Sequence, residues 1–269
     1  MLKYPLFLCD FDGTLVRADG SISQKNAEAI ARYREAGGTF IVCTGRVLSA
    51  ILPRLNEAGI KEGLVAALQG SVIADIATGK VFKYAHFPFS EGLAIVNELV
   101  SRSLHVHVYE KDVFYCNQDD EALALYEKIC KVKAIVAPDL TKTVREKNVK
   151  IVKILVMCRP NDGLYEELLR LYGEKYFVTR SAPFLVELLP KGENKGAAAE
   201  FLSSYYHVPL ELMAAIGDEN NDLSMIEKVG GKFTPASGDP ALQAIATVVA
   251  PCEEDGVAEA LSYAIGERE

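Results

Sequence analysis

Three short apolar runs, Leu6-Phe7-Leu8-Cys9, Thr39-Phe40-Ile41-Val42-Cys43 and Leu64-Val65-Ala66-Ala67-Leu68, constrain this chain most strongly. None alternates with polar residues, so each reads as a strand covered on both faces. Between the first two, Ala27, Ile30, Ala31 and Arg34 keep helical spacing up to Gly37-Gly38. A second helical segment runs from about Val47 to Ala58, with Gly59 as its stop. Strands alternating with helices in this way predict a parallel sheet with helices on both sides.

The middle of the chain follows another rule. "LHVHVYEKDVFYC" alternates apolar and polar residues around a turn at Glu110-Lys111-Asp112, and "VKILVMC" gives a further strand. That pattern predicts an antiparallel sheet with one wet face, accompanied by helices near 92–101, 120–130 and 163–172. The strand and helix rhythm returns with "FLVELLP", a helix from Lys195 to Tyr205, the strand "LMAAIGD", a helix from about Leu223 to Val229, and short strands near Lys232 and Thr247. The expected fold is α/β. A doubly wound, mainly parallel, Rossmann-like core would be built from 1–83 and 184–269, with an α/β domain of 84–183 inserted into it. At 269 residues and 49% apolar content the chain is large enough for both.

Polar clusters interrupt this framework where strands end: Asp10 and Asp12, Thr44 and Gly45, Lys195 at a helix start, and "GDENND" from Gly217 to Asp222. Open parallel sheets bind ligands at that edge, so the clusters can share one site. Asp10 and Asp12 stand two residues apart, and like charges so placed repel unless a cation, a proton or water relieves them. The Asp10 carboxylate, the Asp12 carbonyl, the Asp218 carboxylate and waters would form the oxygen shell that Mg²⁺ prefers. Asp10 could then attack phosphorus as a nucleophile, and Asp12 could serve as general acid and then general base. Thr44, the Gly45 amide, Lys195 and Asn221 would neutralise phosphoryl oxygens, and Asp222 would orient the waters of the metal.

A net charge of −8 excludes a general attraction for nucleic acid or anionic lipid. The expected partner is a small phosphorylated metabolite, bound by a monomer or small homo-oligomer. Cys9, Cys43, Cys116, Cys130, Cys158 and Cys252 form no CxxC pair and read as reduced thiols of a cytoplasmic protein. The opening "MLKYPLFLCDFD" lacks the apolar length of a signal peptide, and no run approaches a membrane span.

In order, "DFDGT", "TGR", the lysine of "KGENKG" and "GDENND" resemble the four motifs of the haloacid dehalogenase superfamily. The insertion between the second and third motifs is similar to the α/β cap of its Cof-type, class IIB branch. The resemblance covers essentially the whole chain and implies a magnesium-dependent phosphatase acting on sugar phosphates or similar metabolites through an aspartyl-phosphate. It implies Asp10 as nucleophile, Asp12 as acid and base, and Asp10, Asp12 and Asp218 as metal ligands. Phosphate contacts would come from Thr44, Gly45, Lys195, Asn221 and the backbone at Phe11. Lys195 is preferred to Lys191 because it stands at the second "KG". Gln69 departs from the asparagine common in the branch.

Two other functions fit part of the pattern: phosphoryl transfer to a sugar hydroxyl, and a non-hydrolytic phospho-acceptor that signals or binds a ligand. Asp12 speaks against the latter, which needs no second carboxylate for proton transfer. Arg46 reads as a solvated or salt-bridged side chain. His105 and His107 share a strand face without further metal ligands in view, and read as half-buried strand residues that could line the cleft.

Overall fold

The computed structural model describes residues 2–268; the outermost residues of the expected core segments, 1 and 269, lie outside them. In chain order the first part runs β1 (Leu6–Cys9), α1 (Gln24–Glu35), β2 (Thr39–Cys43), α2 (Leu48–Glu57), β3 (Leu64–Ala67), β4 (Val72–Asp75) and β5 (Val81–Tyr84). The middle holds α3 (Phe89–Ser101), β6 (His105–Tyr109), β7 (Phe114–Cys116), α4 (Glu121–Cys130), β8 (Ile135–Val136), α5 (Leu140–Lys147), β9 (Lys153–Met157), α6 (Leu164–Tyr172), β10 (Phe177–Ala182) and β11 (Leu185–Leu189). The last part is α7 (Lys195–Tyr206), β12 (Met213–Ile216), α8 (Leu223–Ile226), β13 (Gly231–Pro235), α9 (Pro240–Gln243), β14 (Thr247–Val249) and α10 (Gly256–Ile265).

The first sheet has the order β14-β13-β12-β1-β2-β3-β4-β5. Its strands from β14 to β3 are parallel, and β4 and β5 close one edge as antiparallel neighbours. Both faces are covered, as the unbroken apolar runs require. Phe7 and Cys9 pack with Ala29, Ile30, Tyr33, Val257 and Leu261 of α1 and α10. Leu6 and Leu8 pack on the other side with Ala198, Ala199, Leu202 and Met225 of α7 and α8. Chain order reverses at β1, which lies between β12 and β2, so the crevice used by open α/β sheets opens beyond Cys9 and Ile216.

The second sheet has the order β10-β11-β9-β6-β7-β8 and is antiparallel except where β7 meets β8. Its outer face, with Val106, Val108, Ile154, Val156 and Leu188, packs on Ile95, Leu99, Leu140, Val144 and Leu168 of α3, α5 and α6. Two expectations change here. The other face is not wet: Tyr109, Cys116 and Leu155 join the buried cluster of the first sheet, and His107 is fully buried. Polar residues alternate there because that face turns toward the other sheet rather than toward bulk water. "FLVELLP" also belongs elsewhere, since Leu185–Leu189 pairs with β9 and β10. The chain therefore returns to the first sheet after Leu189 and not at 184; an apolar five-residue run with one charge carries no mark of which sheet takes it.

Candidate active site

Glycine shapes the loop that carries the two aspartates. Phe11 accepts hydrogen bonds from the amides of Leu15 (3.0 Å) and Val16 (2.8 Å), which folds the chain back after β1. Gly13 stands there at φ +77°, and a β-carbon on it would collide with the Asp218 carboxylate. Only glycine accepts both that backbone and that neighbour without strain. Asp218 is fixed in turn by the Thr14 hydroxyl, which donates to Oδ1 at 2.6 Å. The loop after β1 and the loop after β12 therefore meet, joined also by the Asp10 amide donating to the Ile216 carbonyl at 2.9 Å.

Lys195 is the first residue of α7, whose start is capped by the Asn194 side chain accepting from the Ala197 amide at 2.8 Å. It is wholly buried, and its ammonium donates to Asp10 and, at 2.6 Å, to Asp222. The other Asp222 oxygen accepts from the amides of Asp218 (3.1 Å) and Glu219 (3.2 Å). Oxygens of Asp10, Asp218 and Asp222 lie within 4.8 Å of one another. Fully ionised, three carboxylates facing one lysine would leave a surplus of two negative charges, which one divalent cation would balance. Burial pushes the Asp10 carboxyl well up, only partly opposed by Lys195. Burial and the neighbouring Asp222 push Asp218 up to about 7. For Lys195, burial favours the neutral amine, but Asp10 and Asp222 outweigh it and its pKa rises. The donor set and its charge fit a hard divalent ion such as magnesium.

Asp12 is half-exposed and turned the other way. Both of its oxygens accept from Arg46, at 2.7 Å from Nε and 2.5 Å from Nη2. Arg46 also donates to the carbonyls of Ile129 (3.1 Å) and Cys130 (3.0 Å) at the end of α4, and its guanidinium lies over the Phe11 ring. From sequence alone Arg46 reads as a solvated or salt-bridged side chain. It is paired and nearly buried, and it ties the Asp12 loop to the second sheet's layer.

A cavity of about 210 Å³ opens between the two sheets. Of the expected residues, Asp10, Asp12, Thr44, Gly45, Asp218 and Asn221 line it; Phe11, Lys195 and Asp222 lie behind that surface. The opposite wall comes from the second sheet and α4, with Tyr126, Ile129, Phe184 and Leu185 beside Lys153, Ser181 and Glu187. Lys153 and Glu187, both buried, pair at 2.9 Å, and Lys153 also donates to the Gly45 carbonyl at 2.9 Å. Glu187 further accepts from Ser181 (2.7 Å) and from Gln69 (2.6 Å), and Gln69 accepts from Asn221 at 3.1 Å. Leu68 and Gln69 are consecutive left-handed residues, a costly backbone that this network holds in place.

Lys153, Ser181, Glu187 and Tyr126 were missed by sequence reading. Glu187 carried the one available signal, a lone charge inside the apolar run "FLVELLP". Removing one partner of the Lys153–Glu187 pair leaves a buried charge, so Lys153→Met or Glu187→Leu alone is expected to cost about 3–5 kcal/mol. The double variant is expected to cost less than either single one when unfolding is followed in urea.

The haloacid dehalogenase-like hydrolase family model matches residues 7–261. The chain belongs to that family. It is therefore an enzyme, a hydrolase. It is 28% identical to the 5-amino-6-(5-phospho-D-ribitylamino)uracil phosphatase YwtE of Bacillus subtilis, over 93% of this chain and 94% of that one. It is 25% identical to the HMP-PP phosphatase of Escherichia coli, covering 94% of this hydrolase and 93% of the relative. A haloacid dehalogenase-like hydrolase from B. subtilis superposes with a TM-score of 0.88 at 22% identity, over 96% of this chain and 99% of that one, and shares its fold.

Proposed function

We propose that this hydrolase is a magnesium-dependent phosphatase of small phosphorylated metabolites, and that it carries the phosphoryl group on Asp10. The observation that carries the reading is the cluster of Asp10, Asp218 and Asp222 around a single lysine, set at the strand-end crevice beside the cavity between the two sheets. Relatives named as phosphatases of a ribitylamino-uracil phosphate and of HMP-PP support a small metabolite as substrate. So do the size of the cavity and its wall of apolar residues around one Lys–Glu pair.

In this reading an Asp10 oxygen attacks phosphorus while the bond to the leaving oxygen breaks and Asp12 supplies its proton. Asp12 then takes a proton from water, which attacks the phosphorus of the aspartyl-phosphate and returns Asp10 and inorganic phosphate. Arg46 occupies both Asp12 oxygens, so that fork must open for Asp12 to face a leaving group. Thr44, the Gly45 amide, the Phe11 backbone and Asn221 hold the phosphoryl oxygens. Lys195 keeps Asp10 aimed and Asp222 fixed. Held by Asp10, the Asp12 carbonyl and Asp218, magnesium would polarise a phosphoryl oxygen and screen the approaching negative charges.

Phosphate release from p-nitrophenyl phosphate against magnesium concentration tests this. Release is expected to require magnesium, and no dependence on the metal would contradict the reading. Asp218 is pushed up to about 7 without the ion, so below that pH binding must expel a proton. Less magnesium should therefore be needed for half-saturation as pH rises through about 7.

A further inference from the structure

The second sheet holds a cluster that the reaction does not use. His105 and His107 project from β6, and Cys116 of β7 is the residue paired directly across from His107. His105 Nε2 lies 3.1 Å from His107 Nε2 and 3.1 Å from Cys116 Sγ, and all three residues are buried. His105 Nδ1 faces Asp120 Oδ2 at 3.2 Å, and His107 Nδ1 faces the Tyr109 hydroxyl at 3.3 Å. The carboxylate accepts a hydrogen bond from Nδ1–H of His105, which leaves the Nε2 lone pair of that ring facing inward. When the Tyr109 oxygen accepts a hydrogen bond from Nδ1–H of His107, two imidazole lone pairs and a sulfur, all within 4.8 Å of one another, gather among the aromatic side chains of Tyr109, Phe114 and Tyr126. Such convergence repels unless a proton or a cation stands between the groups.

We propose that His105 Nε2, His107 Nε2 and Cys116 Sγ form a three-ligand site for a thiophilic d¹⁰ ion, Zn²⁺ or Cu⁺. Two imidazoles and a thiolate suit these ions and not magnesium. The 3.1 Å separations are a few tenths of an ångström inside those set by Zn–N of ~2.0–2.1 Å and Zn–S of ~2.3 Å, so small side-chain shifts admit the ion. Asp120 orients one ligand as a carboxylate behind a metal-bound histidine does, and its other oxygen caps α4 by accepting from the Leu123 amide at 2.9 Å. Binding replaces the thiol proton of Cys116, which leaves to solvent. The ion would pin β6 to β7 beneath α4, whose Tyr126 lines the cavity.

The test uses the full chain, stripped of metal, with excess magnesium present to occupy the carboxylate site. Cobalt(II), as a probe for zinc, is expected to bind one per chain with an intense thiolate-to-metal charge-transfer band. Zinc should bleach that band, and Cys116→Ser should lack it. Asp120→Asn should weaken binding by about 10–100-fold. A Cys116-dependent, one-to-one uptake of Cu⁺ in competition with a chromogenic chelator, without the cobalt band, would support the same site and assign it to copper. The proposal is overturned if the wild-type protein shows neither the band nor one-to-one Cu⁺ uptake, a result that needs no variant to fold. It is equally overturned if folded Cys116→Ser and His105→Gln proteins match the wild type with both ions; protons alone would then join Asp120, His105, His107 and Tyr109.

Discussion

Asp10→Asn is expected to abolish phosphate release, lowering kcat by about 10⁴-fold or more, as loss of a covalent nucleophile does. The substitution keeps the shape of the side chain and leaves Lys195 its second partner, Asp222, at 2.6 Å. The fold should therefore survive, and far-ultraviolet circular dichroism and the thermal midpoint provide the check. An inactive but folded variant places the loss in the chemistry. Substantial activity in Asp10→Asn would remove Asp10 from the nucleophile's place and, with it, the aspartyl-phosphate.

Lys195→Met is expected to carry a large stability effect, about 3–5 kcal/mol, because it strips the cation from a buried cluster of carboxylates. Lys195 is wholly buried between Asp10 and Asp222, which together sustain its charge against burial. Without it, Asp10 and Asp222 can avoid an uncompensated charge only by taking up protons. The loss, read from urea unfolding without metal, should shrink as pH is lowered, since protonation then removes the repulsion. Magnesium should restore part of the stability by supplying positive charge at the same cluster. An unfolding midpoint unchanged by Lys195→Met would contradict the view that this lysine holds the cluster together.

The first sheet was largely legible because its strands are apolar on both faces, end on polar clusters and alternate with helical segments, the pattern of a twice-covered parallel sheet. β1, β2, β3 and β12 all lie where such runs predicted them. The hairpin of β4 and β5 was not read, since an edge pair buries less and leaves a weaker pattern. The short helix α5, mostly polar, was missed for the same reason. At the site, motif order pointed to Asp10, Asp12, Thr44, Gly45, Asp218 and Asn221, and the fold gathers these around one cavity. Sequence could not foresee that Arg46 would take both Asp12 oxygens, nor that Lys153 and Glu187, 34 positions apart, would pair across the facing wall. Those contacts depend on how two sheets meet, and strand periodicity fixes only which face a residue occupies. His105 and His107 were set aside for want of a third ligand; Cys116 became that neighbour only through the β6–β7 register.

The account turns on a phosphoryl group carried by Asp10. The most direct measurement is acid quenching during steady turnover with magnesium, followed by digestion and mass spectrometry of the peptide containing "CDFDGT". A phosphorylated Asp10, released by hydroxylamine and absent from Asp10→Asn, is the predicted result. Rapid phosphate release with no phosphorylated aspartate at any quench time, or with the label on another residue, would contradict it.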